Sequence, residues 1–191
     1  METEEKHLTS EESLRIIHEM IDAAKNDVKA DAFIFLLWGW LVLVASIAQF
    51  VLAQMQVSWN SAPWMLMPLG GIITIIYSVR MGKKDKTRTA ITESLKYTWL
   101  AFTVALLIIL LFNSMNYLQV LPCIMVLYGI GLFLSGTALR FRPLVFGGVF
   151  CWACAIGGFQ VQNVYLLLIL AAAVLGGYII PGYLLKMNNR K

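Results

Sequence analysis

Charge is what this chain has little of. Of its 191 residues, 14% are Asp, Glu, Lys or Arg, against 59% that are hydrophobic. A soluble globular domain carries about 25% charged residues, so a water-facing fold around one apolar core is excluded. Cysteine is scarce too: the three present, Cys123, Cys151 and Cys154, all lie in apolar runs. An odd number so placed gives no disulfide framework of the kind that staples small secreted domains. No Asp, Glu, His, Lys or Arg interrupts the long apolar runs, which removes the groups that carry protons or pair with ions in coupled transporters. At the amino end, residues 1–31 are acidic where a secretory leader would be basic, and the first apolar run exceeds an h-region. A cleaved signal is not expected, and the first span is expected to be kept.

What is present is a set of apolar runs with polar punctuation. The residues sort into six spans of about 32–53, 63–79, 98–112, 118–139, 144–159 and 164–185, against a hydrocarbon core that takes roughly 20 helical residues to cross. Pro63 and Pro143 stand where first helical turns are expected, positions at which the missing N–H costs nothing. Pro122 falls early enough in the fourth span to be absorbed or to kink it gently. Pro181 and Gly182 are expected to interrupt the sixth near its inner end.

The charges fix the direction of these spans. Arg80, Lys83, Lys84, Lys86, Arg88 and Lys96 face only Asp85 and Glu93 in one short loop of net charge +4; Arg140 and Arg142 bracket Phe141 in a tight turn; Lys186 follows the last span. Lys and Arg resist transfer across the bilayer, so these segments are read as cytoplasmic and topology-determining. With that assignment all 15 Lys and Arg and all 11 Asp and Glu fall on one side or at its boundary. Since a charge at a helix centre costs on the order of 2.5 to 3.5 kcal/mol on insertion scales, a wrong assignment would trap several. The net charge of +4 and pI near 9.0 therefore point to orientation in the bilayer and not to nucleic acid. The expected fold is an all-α integral membrane protein of six helices in three hairpins, both ends cytoplasmic, preceded by an amphipathic cytoplasmic helix over residues 1–31 and followed by a tail, 186–191.

That first helix opens with Thr9 and Glu12 in capping-box spacing. Leu14, Ile17, Ile21, Ala24 and Val28 recur at three- and four-residue steps and so share one stripe. Residues 1–31 hold nine acids against four bases, net −5, a poor match to anionic lipid heads. The stripe is expected to meet protein: the chain's own basic loop, a second copy, or a cytoplasmic partner.

Several site-like patterns have plain readings. Cys151-Trp152-Ala153-Cys154 has dithiol spacing, yet an apolar helix disfavours the thiolate that redox chemistry needs. His18-Glu19-Met20-Ile21-Asp22 has half of a zincin helix, with Asp22 where the second histidine belongs. Gln49, Thr74, Thr103, Ser135 and Thr137 read as hydrogen-bonding groups between helices before they read as a solute path, and Trp38 and Trp40 as core or lipid anchors. Gly70-Gly71, Gly147-Gly148, Gly157-Gly158 and Ala172 with Gly176 read as close helix contacts. Gly71, Gly131 and Gly177 each precede a cation by nine residues, which suggests a repeated hairpin with a packing glycine near mid-membrane. No catalytic residue, cofactor or metal site is expected.

At Glu12-Ser13-Leu14, Ile16-Ile17, Met20-Ile21, Ala24-Lys25-Asn26 and Leu36-Leu37-Trp38-Gly39-Trp40 the chain resembles an uncharacterised family of small bacterial multi-pass membrane proteins. The resemblance covers about the first fifty residues. It implies a bacterial inner membrane and brings no known activity. The expected function is accordingly a non-enzymatic interaction or scaffold protein working through its first helix. A facilitative path for a small uncharged solute is the alternative, with thiol redox chemistry third.

Overall fold

The computed structural model describes the backbone of residues 10–82, 90–111, 117–161 and 163–188, and within these the side chains of 32–80, 95–111, 119–161 and 163–188. Among them there are helices and no strands: α1 Ser10–Gln54, a 3-10 turn Ala62–Leu66 leading into α2 Met67–Gly82, α3 Ala90–Leu111, α4 Tyr117–Ala138, α5 Arg142–Gln160, α6 Leu166–Val174 and α7 Ile180–Asn188, with a wide π turn, Leu175–Ile179, joining the last two. Among the described residues five segments are long and apolar enough to cross a membrane: Ala32–Gln54, Ala62–Arg80, Gln119–Ala138, Arg142–Gln160 and Leu166–Asn188. The shorter apolar stretch Leu95–Leu111 lies in α3. Lys83, Lys84, Lys86 and Arg88 lie outside the described residues.

The first difference from expectation is α1. The sequence reading divides it at Asp31, but Ser10–Gln54 is one helix of 45 residues. Lys29-Ala30-Asp31-Ala32 contains neither Gly nor Pro, and Ala and Lys favour the helix, so the polarity changes there while the backbone does not. The side chains of Leu14, Ile17, Ile21, Ala24 and Val28 lie outside the described ones.

Two helix ends are closed by backbone bonds. Val57 N–H donates to Leu52 O and Gln56 N–H to Ala53 O after α1; Phe141 N–H donates to Gly136 O and Arg140 N–H to Thr137 O after α4. These are Schellman pairs, which require a left-handed residue at the first position past the helix. Gln56 (φ 55°) and Arg140 (φ 51°) occupy it where glycine is usual, at a cost of about 1 kcal/mol. The turn that results leaves Arg140 and Arg142 exposed.

The last span widens where the expected break begins. Pro181 has no N–H to bond one turn back and its ring presses on that turn; Ile180 N–H reaches five residues back to Leu175 O. The helix therefore opens over Leu175–Ile179, ahead of Pro181, and continues through Gly182 to Asn188.

Sequence neighbours pack as α1 with α2, α3 with α4, and α5 with the last span, while α1 lies along the last span and α4 along α5. Fully buried Met125, Leu132, Leu144, Leu166, Leu167, Leu170 and Val174 fill the centre. α2 and α3 stand at the edges: among the described residues α2 approaches only α1 and the 3-10 turn, and α3 approaches only α4, within 8 Å between Cα atoms.

Candidate functional site around the wide turn

The wide turn sits where four helices meet, and glycines bring them there. A Cβ on Gly147 would lie 2.8 Å from Gly177 O, closer than real Cβ atoms come, and one on Gly39 would lie 3.1 Å from Tyr178 Cβ, a tight contact. Gly177 itself faces Leu132 of α4 and Cys151 of α5. The Cys151 thiol donates to Ala173 O at 3.4 Å, so a buried polar atom and a helix carbonyl satisfy one another. Cys154 and Cys123 are half-buried and free.

The adjacent glycines of α5 serve two neighbours. Gly147 faces the wide turn, whereas a Cβ on Gly148 would meet Gly129 O at 2.8 Å and Phe133 N at 2.9 Å on α4. Gly129 also makes the seat for the Trp152 indole, whose Nε1 donates to Val126 O at 3.1 Å. Of the nine-residue glycines, Gly177 makes backbone contact and Gly131 lies 3.4 Å from the Trp99 ring, measured from a built Cβ. Gly71, expected as a packing contact, meets nothing within 4 Å; its neighbour Gly70 lies against Leu41 instead. At Gly157-Gly158 only the second touches other helices, through Leu166 and Pro122.

The polar side chains within spans divide into two sets. Trp38 Nε1 donates to Thr74 Oγ1 at 3.1 Å, and Trp64 Nε1 to Gln49 Oε1 at 2.6 Å, tying α2 and its 3-10 turn to α1. Thr103 and Thr137 turn back onto their own helix carbonyls. Ser135 Oγ is buried without a partner among the described residues.

On the α3 side of the wide turn lies a group of rings. Phe35 of α1 contacts Trp99 of α3 (centroids 5.9 Å) and Tyr178 of the wide turn (6.0 Å); Trp99 contacts Phe102 (5.1 Å), Phe102 stacks on Tyr128 of α4 (5.8 Å), and Tyr128 meets Tyr178 edge-on (5.3 Å). The contacts form a closed circuit. Tyr178 is only 4% exposed. The sequence reading passed over all five residues. Tyr normally sits at membrane interfaces, so a tyrosine ten residues from either end of the fourth apolar run was a signal within reach. Their convergence from separate helices was not.

Elsewhere, an apolar depression of about 370 Å³ runs along α1 between Phe33, Trp40, Val44 and Leu66, without converging polar groups to orient a ligand. Among residues with described side chains, no group of three His, Cys, Asp or Glu is placed to hold a metal ion. The His18–Asp22 pattern lies outside them. Comparison with protein-family models, curated proteins and solved structures found no match for this chain.

Proposed function

We propose that the protein is a six-span, non-enzymatic membrane protein of the bacterial inner membrane, with both ends cytoplasmic, that uses residues 10–31 as an arm for self-association or for binding a cytoplasmic protein. The observation that carries this reading is the continuity of α1 from Ser10 to Gln54: the acidic, striped segment is a direct extension of a packed span. A stripe of Leu14, Ile17, Ile21, Ala24 and Val28 is stable in water only when covered, and a helix anchored this way presents it in a fixed direction.

The competing reading, a facilitative path for an uncharged solute, draws less support. Its candidate lining groups are committed elsewhere, Gln49 to Trp64 and Thr74 to Trp38, and the bundle centre is filled by Met125, Leu132, Leu167 and Leu170. The dithiol reading is similarly weakened, because the Cys151 thiol is engaged with Ala173 O.

Single cysteines at Leu14 and Ile21, with Glu19 and Asn26 as off-stripe controls, test the proposal in native membranes. A bismaleimide should crosslink the stripe positions to a second copy or to one cytoplasmic protein, several-fold more than the controls. Equal crosslinking at all four positions, or none, would remove the basis of the arm.

A further inference from the structure

We propose that the seam between α5 and the last span, at its charged end, is a binding site for an anionic phospholipid, with the headgroup phosphate taken by Arg140, Arg142 and Lys186 and an acyl chain laid along Phe146 and Ile180. The register of the two helices builds it. They run antiparallel, with Gly147 against Gly177 and Pro181 and Phe150 against Gly176, and with the Cys151 thiol on Ala173 O. Carried toward the charged end, that pairing sets Phe146 level with Ile180 and Arg142 level with Leu184, and Lys186 follows at once.

Charge selects the headgroup. Arg80, Lys96, Arg140, Arg142 and Lys186 are the charged groups among the described side chains; all are exposed, and no Asp or Glu stands among them. α2 and α3 bring one cation each, whereas the turn before α5 and the end of the last span bring three to a single seam. An Arg guanidinium presents a fork of donors that matches phosphate, and Arg and Lys stems lie along apolar surface while their heads reach the polar layer. The turn that carries the two arginines has a set shape, because Phe141 N–H and Arg140 N–H both bond back to α4.

The surface below the cations suits a chain. Phe146 and Phe150 on α5 and Ile180 and Leu184 on the last span are all exposed, so two helices offer an acyl chain a wall on either side. In a bilayer such packing competes with packing against other lipid and adds little preference by itself. A zwitterionic lipid would fit the walls equally well, and the unpaired cations favour the anionic one. The site rests on the bundle spanning a bilayer. It uses neither the arm nor the direction of the spans, so each reading can fail without the other.

The test uses the full-length protein in nanodiscs of phosphatidylethanolamine with phosphatidylglycerol as the minor component. The photocrosslinking residue p-benzoylphenylalanine replaces either Phe146 or, as the control, Tyr97, which is similarly exposed, at 69% against 71%, and adjoins only Lys96. After irradiation the headgroup of each attached lipid is read by mass spectrometry. Adducts at position 146 should be enriched in phosphatidylglycerol about fivefold over those at position 97, the equivalent of one further cation near anionic lipid at about 1 kcal/mol. Arg142→Gln combined with Lys186→Gln should bring position 146 down to the control, while Arg80→Gln leaves it enriched. Equal phosphatidylglycerol content at the two positions, or enrichment that survives the double replacement, overturns the proposal. The comparison of positions 146 and 97 needs no charge variant, so it decides the question even if the double replacement fails to insert.

Discussion

The α4–α5 seam and the α1–α3 seam join helices in opposite ways. Between α4 and α5 the backbones themselves touch, through Gly129, Gly136 and Gly148, with Trp152 laid into the notch at Gly129. Between α1 and α3 no Cα pair among the described residues lies within 8 Å, and contact is made by Phe35 against Trp99. Within lipid, tails are as apolar as the side chains, so association depends on packing and hydrogen bonds rather than on escape from water. The glycine seam maximises that packing and has no room to adjust. The aromatic seam trades it for side chains that can tilt.

The same small substitution should therefore read differently along the molecule. Gly148→Ala, which sets a methyl against Gly129 O and Phe133 N, is expected to cost about 1–3 kcal/mol as overpacking against backbone, seen as a marked drop in detergent melting temperature. A wild-type melting curve for this variant would show that α4 and α5 separate easily. Gly71→Ala should act in the other direction. Its methyl enters open space, and alanine gains up to about 1 kcal/mol of helix propensity over glycine, so a modest rise in melting temperature is expected; a fall would indicate a neighbour packed on α2. Gly131→Ala should change least, within about 0.5 kcal/mol, since the propensity gain is set against a ring at 3.4 Å that can rotate away. If Gly131→Ala cost as much as Gly148→Ala, the aromatic seam would be as rigid as the glycine seam.

The apolar spans were legible because charge is so expensive inside hydrocarbon. Excluding every Asp, Glu, Lys and Arg from the runs leaves little freedom, and among the described residues the five helices long and apolar enough to cross a membrane fall on five of the six expected runs, while Leu95–Leu111, on the sixth, is shorter. The last, Leu166–Asn188, extends through Lys186 to Asn188. Helix faces were not legible. Each span is apolar all round, so periodicity does not say which side meets protein and which meets lipid. Glycine pairs announced close contacts without naming the member responsible: Gly70 and not Gly71, Gly158 and not Gly157, and both of Gly147 and Gly148. Pro181 marked an irregularity but not its position, because a proline disturbs the turn before it. The aromatic circuit was out of reach for a related reason. Ring contacts among Phe35, Trp99, Tyr128 and Tyr178 follow from how four helices lean together, and no spacing within one helix encodes that.

The unbroken course of α1 has a mechanical side. Residues 10–31 at 1.5 Å per residue continue the first span by about 33 Å, with neither glycine nor proline to act as a joint. A tilt of about 10° within the bilayer would sweep the far tip sideways by about 6 Å on that lever. Small changes in how α1 rests on the last span would thus arrive at the other end enlarged, as motion of a pointer.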